Sequence, residues 1–366
     1  MSITASDIGF IDRKEELQHL VSQLKQGRHA AVVAPPRFGK SALITQALNH
    51  LKTEKYLTCS INLLATPTPE LLSSSLFREV LWNLKLHKAF KHFLKGKSPL
   101  NQSPELLDLA EEFPALTGLS HPSQELWTLL SESLDFPDAF AGSRQKHMIC
   151  VYEEMGSIRH MDQGAKISAL LKSKLQHHSR TSYVFSGTHL SAIKPITGRG
   201  KSALLQADQI IELGLINKQV LCDSLHKKFA QLKLKLPRNY VEDLVMLTSG
   251  HPYYTQQAIH QVILSYVLEG NIPRKKDLPE HLLRLDKNYL EQTWESIARN
   301  KEYVQIMLAL PSGSTNIYPR LKSRGINVAR AQKKLEEMGL LLKNEQAGYS
   351  IADPLLALWI RKKLLN

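Results

Sequence analysis

The sequence predicts an α/β chain: a largely parallel sheet covered by helices on both faces, followed by two smaller, mostly helical domains. Three observations carry this. From Ile11 to about Leu215, short runs of aliphatic and β-branched residues alternate with helical stretches. Those runs lack strict polar alternation, as strands buried on both faces do. After Asn217 the strand signals fade, and 366 residues exceed what one core usually organises.

The strand candidates, in order, are Ala30 to Val33, Tyr56 to Leu63, Met148 to Tyr152, Ser182 to Ser186 and Ile210 to Leu213. A long, mostly helical insertion, about 67–143, separates the second strand from the third. Within it Leu84 to Lys95 carries apolar positions at the spacing of one amphipathic helix, with lysines and histidines between them. A solvated face and a nucleic-acid contact are both open readings of that stretch. Helices are then expected over Lys218 to Gln231, Arg238 to Thr248 and Pro252 to Leu268, closed by Gly270-Asn271-Ile272-Pro273. From about Leu290 helices and turns alternate, with a hairpin around Asn344 to Gly348. The expected domains are 1–215, 216–284 and 285–366.

Composition narrows the class. Hydrophobic residues make up 43%, too many for a disordered chain. No apolar run reaches the roughly 18 residues that span a bilayer, and the N-terminus lacks the basic-then-apolar order of a secretory signal. Cys59, Cys150 and Cys222 form neither a disulfide framework nor a metal-ligand pattern. A cytoplasmic location with no membrane partner is expected. The net charge of +13 favours a polyanion, although basic residues also solvate ordinary helix faces.

The chemistry concentrates at Ala34-Pro35-Pro36-Arg37-Phe38-Gly39-Lys40-Ser41, which follows an apolar strand and leads into the helical run from Ser41 through Ala42 to Leu48. This is the strand, loop, helix setting of a P-loop, or Walker A motif. Loop N–H groups and the helix N-terminus surround phosphates with donors. Gly39 lets the backbone approach an oxygen, Lys40 neutralises β- and γ-phosphate charge, and the Ser41 hydroxyl takes a Mg²⁺ position. Ala34 replaces the motif's usual first glycine. A second apolar run, Ile149-Cys150-Val151-Tyr152, ends in Glu153-Glu154, the Walker B pattern. Glu153, standing where Asp is usual, is the candidate metal carboxylate and Glu154 the candidate general base for a water, a solvated helix entry being the alternative reading of the pair. At the tip of the next strand, Ser186 and Thr188 are candidates for γ-phosphate contact or for simple capping.

These motifs resemble the archaeal-type ATPases of the STAND branch of AAA+-related P-loop NTPases, nearly end to end. Phe10-Ile11-Asp12-Arg13-Lys14-Glu15-Glu16-Leu17 is similar to that family's "F-x-x-R-x-x-E-L" opening segment, which lies beside the adenine, with Arg13 and Glu16 at matching positions. Pro35-Pro36-Arg37-Phe38-Gly39-Lys40-Ser41 is similar to "P-R-R-x-G-K-[ST]", Pro36 standing where the first arginine usually is. Gly198-Arg199 sits where the family has "Y-G-R", which implies that Arg199 contacts phosphate or a neighbouring subunit. Gly250-His251-Pro252-Tyr253-Tyr254 matches "G-H-P-Y-Y" at the start of a lid helix, with Pro252 near the adenine. The stretch Ala331 to Leu341, with Tyr349-Ser350-Ile351-Ala352-Asp353-Pro354 and Trp359, resembles the family's C-terminal winged helix.

The resemblance implies ATP and Mg²⁺ as ligands. It implies a nucleotide-binding surface from Arg13, Pro36, Arg37, Phe38, Gly39, Lys40, Ser41, Ala42 and Pro252, and a catalytic set of Lys40, Glu154 and Arg199. If the winged helix contacts double-stranded DNA, Arg330, Lys333 and Lys334 are the residues that do so. Residues 286–366 hold 13 Lys or Arg against 8 Asp or Glu, but Glu336 and Glu337 oppose a phosphate backbone on that same helix. An ATPase acting as a nucleotide-gated switch is therefore expected. The alternatives are an ATP-regulated DNA-binding protein, a hydrolysis-deficient scaffold suggested by Ala34 and Glu153, and a protein partner or self-association in place of DNA.

Overall fold

The computed structural model describes residues 13–97, 99, 102–118, 125–197, 204–234, 236–311, 321, 325–343 and 348–365. The chain divides into two compact units. One comprises residues 14–33 and 40–212; the other gathers Arg13, residues 34–39 and the chain from Leu213 onward.

The first unit is the predicted α/β layer. Helix α1 (Lys14–Lys25) precedes β1 (Ala30–Val33), and α2 (Lys40–Thr53) leads to β2 (Leu57–Asn62). The insertion then forms α3 (Pro69–Leu81), α4 (His87–Leu94), α5 (Pro104–Glu112), α6 (Ala115–Gly118) and α7 (Leu126–Ser143). Next come β3 (Met148–Glu153), α8 (Gly164–Leu175), β4 (Thr181–Gly187), α9 (Leu190–Thr197) and β5 (Ile210–Glu212). All five strands pair in parallel in the order β2-β3-β4-β1-β5. The expected strands are therefore all present, each within two residues of its predicted ends.

Burial explains their composition. Every residue of β1 and β4 is buried, and β3 emerges only at Glu153. Parallel strands covered on both faces read as continuous apolar runs for this reason. On one face the rings of Tyr152, Tyr183 and Phe185 stack within about 6 Å of one another, since Tyr183 and Phe185 are two apart on β4 and Tyr152 faces Phe185 in register. The insertion packs through Phe77, Phe90, Phe113, Phe136 and Phe140. One expectation is corrected here. Leu84 to Lys95 is not a single helix: a 3₁₀ turn, Trp82–Leu84, ends at Lys85 with φ +63°, and α4 begins only at His87.

The second unit carries α10 (Lys218–Gln231), α11 (Arg238–Thr248) and α12 (Pro252–Glu269), matching the expected helices. Asn217 caps α10 by accepting from the N–H groups of Gln219 and Val220, and Pro252 opens α12 where a missing N–H leaves nothing unpaired. Helices α13 (Leu278–Leu285), α14 (Lys287–Ala298), α15 (Lys301–Ala309) and α16 (Val328–Glu337) follow. The antiparallel hairpin of β6 (Leu341–Lys343) and β7 (Tyr349–Ile351) precedes α17 (Pro354–Ile360). These are the described elements of the stretch expected to form a winged helix. Most of the expected hairpin turn, 344–347, lies outside the described residues. Among those residues no helix is long and apolar enough to cross a membrane.

Three histidines stand at the entrances of the central strands. His29 precedes β1, His147 precedes β3 and His178 precedes β4. The Tyr183 N–H donates to His29 Nδ1 at 3.2 Å, which requires that nitrogen to be unprotonated. Burial, with His178 and His147 nearby, lowers the His29 pKa from 6.5 to about 4. The unfolded chain therefore takes a proton near pH 6.5 that the folded chain refuses until about pH 4, so stability is full above 6.5 and falls between those values. The loss is on the order of 3 kcal/mol. In urea titrations, the stability advantage of wild type over His29→Asn should be largest above pH 6.5 and shrink steadily towards pH 4. A pH-independent difference would show that His29 takes up its proton equally in the folded and unfolded chains.

Candidate functional site

The P-loop leaves β1 at Val33 and enters α2 at Lys40, and its residues are shared between the units: Ala34–Gly39 belong to the second, Lys40 and Ser41 to the first. In the α/β unit the Lys40 side chain is buried. Desolvation lowers its pKa, opposed by the charges of Glu154 and then Glu153. The Ser41 hydroxyl donates to Glu153 Oε2 at 2.6 Å, and the Ser60 hydroxyl on β2 donates to Oε1 at 3.4 Å. The strand order explains the meeting, because Asn62 and Glu153 are register partners at the carboxyl ends of β2 and β3. Open α/β sheets bind ligands at such carboxyl ends.

Glu154 leaves the strand in the left-handed region, φ +56° and ψ +48°, and its N–H donates to the Ser186 hydroxyl at 3.4 Å. A non-glycine residue held there is uncommon, and such residues concentrate at functional sites. Ser186 is buried at the end of β4, with Thr188 in the bend beyond it. Ser41 and Ala42 are exposed on the first turn of α2. Gly39 takes φ +88°, and no atom lies within 4 Å of where a Cβ would project. The backbone is open to a close neighbour there.

These groups fit a magnesium–phosphate ligand. Mg²⁺ takes oxygen ligands, commonly one or two carboxylates with the remaining places left to phosphate and water. A hydroxyl and a carboxylate 2.6 Å apart, beside a buried lysine, match that sparse donor set. Among the described residues no group of three or more His, Cys, Asp or Glu forms a metal site of its own.

The second unit holds the rest of the loop. Arg37 takes φ +67°, and its guanidinium lies 3.4 Å from the ring centre of Tyr289 and 4.5 Å from that of Tyr253. Its Nη1 donates to Asp286 Oδ2 at 2.5 Å and to the Tyr254 hydroxyl at 3.4 Å. Burial lowers the Arg37 pKa, but the surrounding tyrosines and Asp286 outweigh it and the net direction is upward. Tyr253 donates to Asp286 Oδ1 at 3.2 Å, and Tyr254 to Asp353 Oδ2 at 2.7 Å. Asp353 also caps α17, accepting from the N–H groups of Leu355 and Leu356, and its burial raises its pKa.

Phe38 is fully buried, edge-on to His251 at 4.7 Å. Burial and then the charge of Arg37 lower the His251 pKa to about 3, so this imidazole is neutral. Arg13, buried, donates to the carbonyls of Gly214 at 2.5 Å and Phe38 at 3.4 Å. A further contact is steric. Gly339, after α16, has φ +73°, and a Cβ there would stand 2.7 Å from Pro36 Cδ and 3.2 Å from Pro35 Cα.

Lys40, Ser41, Glu153 and Ser186 are thus gathered with Glu154 in one unit, and Arg13, Pro36, Arg37, Phe38 and the residue before Pro252 in the other. Arg199 lies outside the described residues. Arg330, Lys333 and Lys334 are exposed on α16, with Lys334 paired to Glu337 at 3.3 Å. Sequence reasoning did not find Ser60, Asp286, Tyr289 or the role of Asp353. Asp353 and the two adjacent tyrosines stood in recognised motifs; the others carry no motif at all.

No family model and no curated protein matches the chain by sequence. Solved structures do match. The Walker-type ATPase PABY2304 of Pyrococcus abyssi aligns over 96% of this chain and 96% of its own, with a TM-score of 0.68 at 17% identity. The ORC2 protein of Aeropyrum pernix, solved with ADPNP and ADP, aligns over 99% and 98% with a TM-score of 0.58 at 12% identity. The ORC1 protein of the same organism, solved in complex with DNA, aligns over 98% and 96% with a TM-score of 0.52 at 14% identity. Over nearly its full length, the chain shares the fold of these Walker-type ATPase and ORC structures.

Proposed function

We propose that this protein is a magnesium-dependent ATPase that works as a nucleotide-gated switch. The carrying observation is the cage around Arg37: a cation of the phosphate loop is held by Tyr253, Tyr289 and Asp286 from helices beyond the sheet. In this reading Lys40 and the N–H groups of residues 39–42 bind the β- and γ-phosphates, while Ser41 and Glu153 hold Mg²⁺. Bound Mg²⁺ supplies charge neutralisation on the phosphate oxygens. Glu154 takes the proton of the attacking water, and Ser186 fixes the backbone that aims it. Residues 1–215, 216–284 and 285–366 act as catalytic domain, lid and winged helix, with Pro252 beside the adenine and Arg199 as a phosphate or subunit contact. A cytoplasmic setting suits three buried free thiols.

A ligand gates a switch only by contacting its two states differently. Here the difference is what neutralises Arg37: Asp286 when the loop is caged, phosphate when it is released. The ORC2 structure with ADPNP and ADP supports nucleotide as the ligand of this fold.

A second reading, ATP-regulated binding of double-stranded DNA by the winged helix, is favoured by the exposure of Arg330 and Lys333 on α16. The DNA bound to the ORC1 protein gives a precedent in the fold. Against it, Glu337 engages Lys334, and Glu336 accepts from the Tyr349 hydroxyl. DNA-stimulated turnover that is lost in Lys333→Ala/Lys334→Ala would replace the first reading by this one.

Two outcomes test the proposal. Steady-state turnover of Mg-ATP should vanish in Lys40→Ala, with calorimetry showing lost ATP affinity; in Glu154→Gln it should fall by about 10²- to 10⁴-fold while ATP still binds. Equal ATP affinity in wild type and Lys40→Ala would end the reading. Asp286→Asn weakens the cage and leaves Arg37 for phosphate, so ATP should bind more tightly, by roughly 5- to 150-fold. Unchanged or weaker binding by that variant would mean that the cage does not compete with nucleotide.

A further inference from the structure

The insertion between β2 and β3 carries a surface that the ATPase reading does not use. From Val80 to Pro104 the chain holds five lysines and two histidines and no acidic residue. The turn that ends at Lys85 with φ +63° folds this segment back on itself. The indole of Trp82 thereby stacks on the imidazole of His87, ring centres 3.6 Å apart and 20° from coplanar. The turn is fixed from below. Asn83 Nδ2 donates to the Thr58 carbonyl at 2.9 Å, and the Thr58 N–H donates to Asn83 Oδ1 at 3.0 Å. The side chain thus satisfies the outward backbone groups of the edge strand β2. Trp82 nevertheless remains 57% exposed, unusual for the largest apolar side chain on a rigid turn.

Lys85 ends the same turn, Lys88 and Lys91 lie on α4, and Lys95 and Lys97 follow it, all exposed and none in an ion pair among the described residues. Lys88, Lys91 and Lys95 follow the three- and four-residue spacing of one helix face. They cover roughly 10 Å of axis, comparable to about three phosphates of one strand. An amphipathic basic helix can also lie on an anionic membrane, but it does so by burying its apolar face in lipid. Here that face is occupied: Phe90 is fully buried, and Leu86, Ala89, Phe93 and Leu94 pack on the core of the α/β unit. What is left outward is charge and one flat aromatic surface.

We propose that this surface, Trp82 and His87 with the lysines of α4 and its flanks, binds single-stranded nucleic acid. Exposed aromatics accept unstacked bases and neighbouring lysines track the phosphates, the combination found in sequence-tolerant single-strand binders. Duplexes are disfavoured because their base faces are already stacked. The surface lies outside the nucleotide site, so the proposal stands independently of ATP turnover, and Lys40→Ala should retain it.

The test is fluorescence anisotropy of the full chain with a labelled oligothymidylate of about twenty nucleotides, with the matching duplex, and with anionic phosphatidylserine vesicles. Lys88→Ala/Lys91→Ala/Lys95→Ala should lower affinity and reduce the slope of log K against log salt by roughly two. Trp82→Ala should weaken single-strand binding about tenfold with little change in that slope. Circular dichroism and thermal unfolding confirm that both variants fold; Lys91→Glu provides a single-site check. The proposal is overturned by four results: no oligonucleotide binding, a triple variant with wild-type affinity and slope, binding abolished only by Lys333→Ala/Lys334→Ala, or a preference for duplex or vesicles over the single strand.

Discussion

The ion pair between Arg37 and Asp286 is the constraint around which the second unit is arranged. A guanidinium withdrawn from water costs several kcal/mol unless a carboxylate and further donors or rings compensate it. Asp286 supplies the charge; Tyr253 and Tyr289 supply two faces on which the flat cation rests. Each compensating group is held in turn, Tyr253 by Asp286 itself and Tyr254 by Asp353, which also fixes the start of α17. One side chain of the loop is therefore connected through Tyr254 and Asp353 to the start of α17. Removing the Asp286 carboxylate would leave a half-buried guanidinium without its counter-charge, and removing that of Asp353 would leave the Tyr254 hydroxyl and the start of α17 without their acceptor, so the network behaves as a unit.

The α/β unit poses the opposite electrostatic problem. Lys40 faces two carboxylates, so the cluster carries net negative charge before any ligand arrives. A phosphate chain alone would meet repulsion there. Under the proposed function a divalent cation would reverse the balance, with the hydrogen-bonded Ser41 and Glu153 as its oxygen donors. Glu153 is the last residue of its strand, whereas Glu154 has already turned into the left-handed region, so the two adjacent carboxylates stand on different backbone conformations.

Much of the fold was legible in the sequence because burial writes directly into composition. The central strands β1, β3 and β4 are buried along nearly their whole length, and the GKS turn has a fixed backbone that only a few residue types permit. Helices α10 and α12 announce themselves through Asn217 and Pro252. The cage was not legible. Arg37 and Asp286 are 249 positions apart, and tertiary pairs at that distance leave no periodic trace. The break at Lys85 was hidden for another reason: an apolar spacing suited to a helix cannot reveal that one residue within it has turned left-handed. Glu154 escaped in the same way, its identity readable and its backbone not.

Gly339 and the two prolines it faces meet without a flexible side chain between them. Most packed interfaces yield gradually, because long side chains change rotamer and absorb a displacement of half an ångström. A bare α-carbon against pyrrolidine rings has no rotamer to change. A side chain as small as a single methyl group at position 339 would therefore have to displace the loop itself, so tolerance here is set by hard contact, more in the manner of a detent than of a spring.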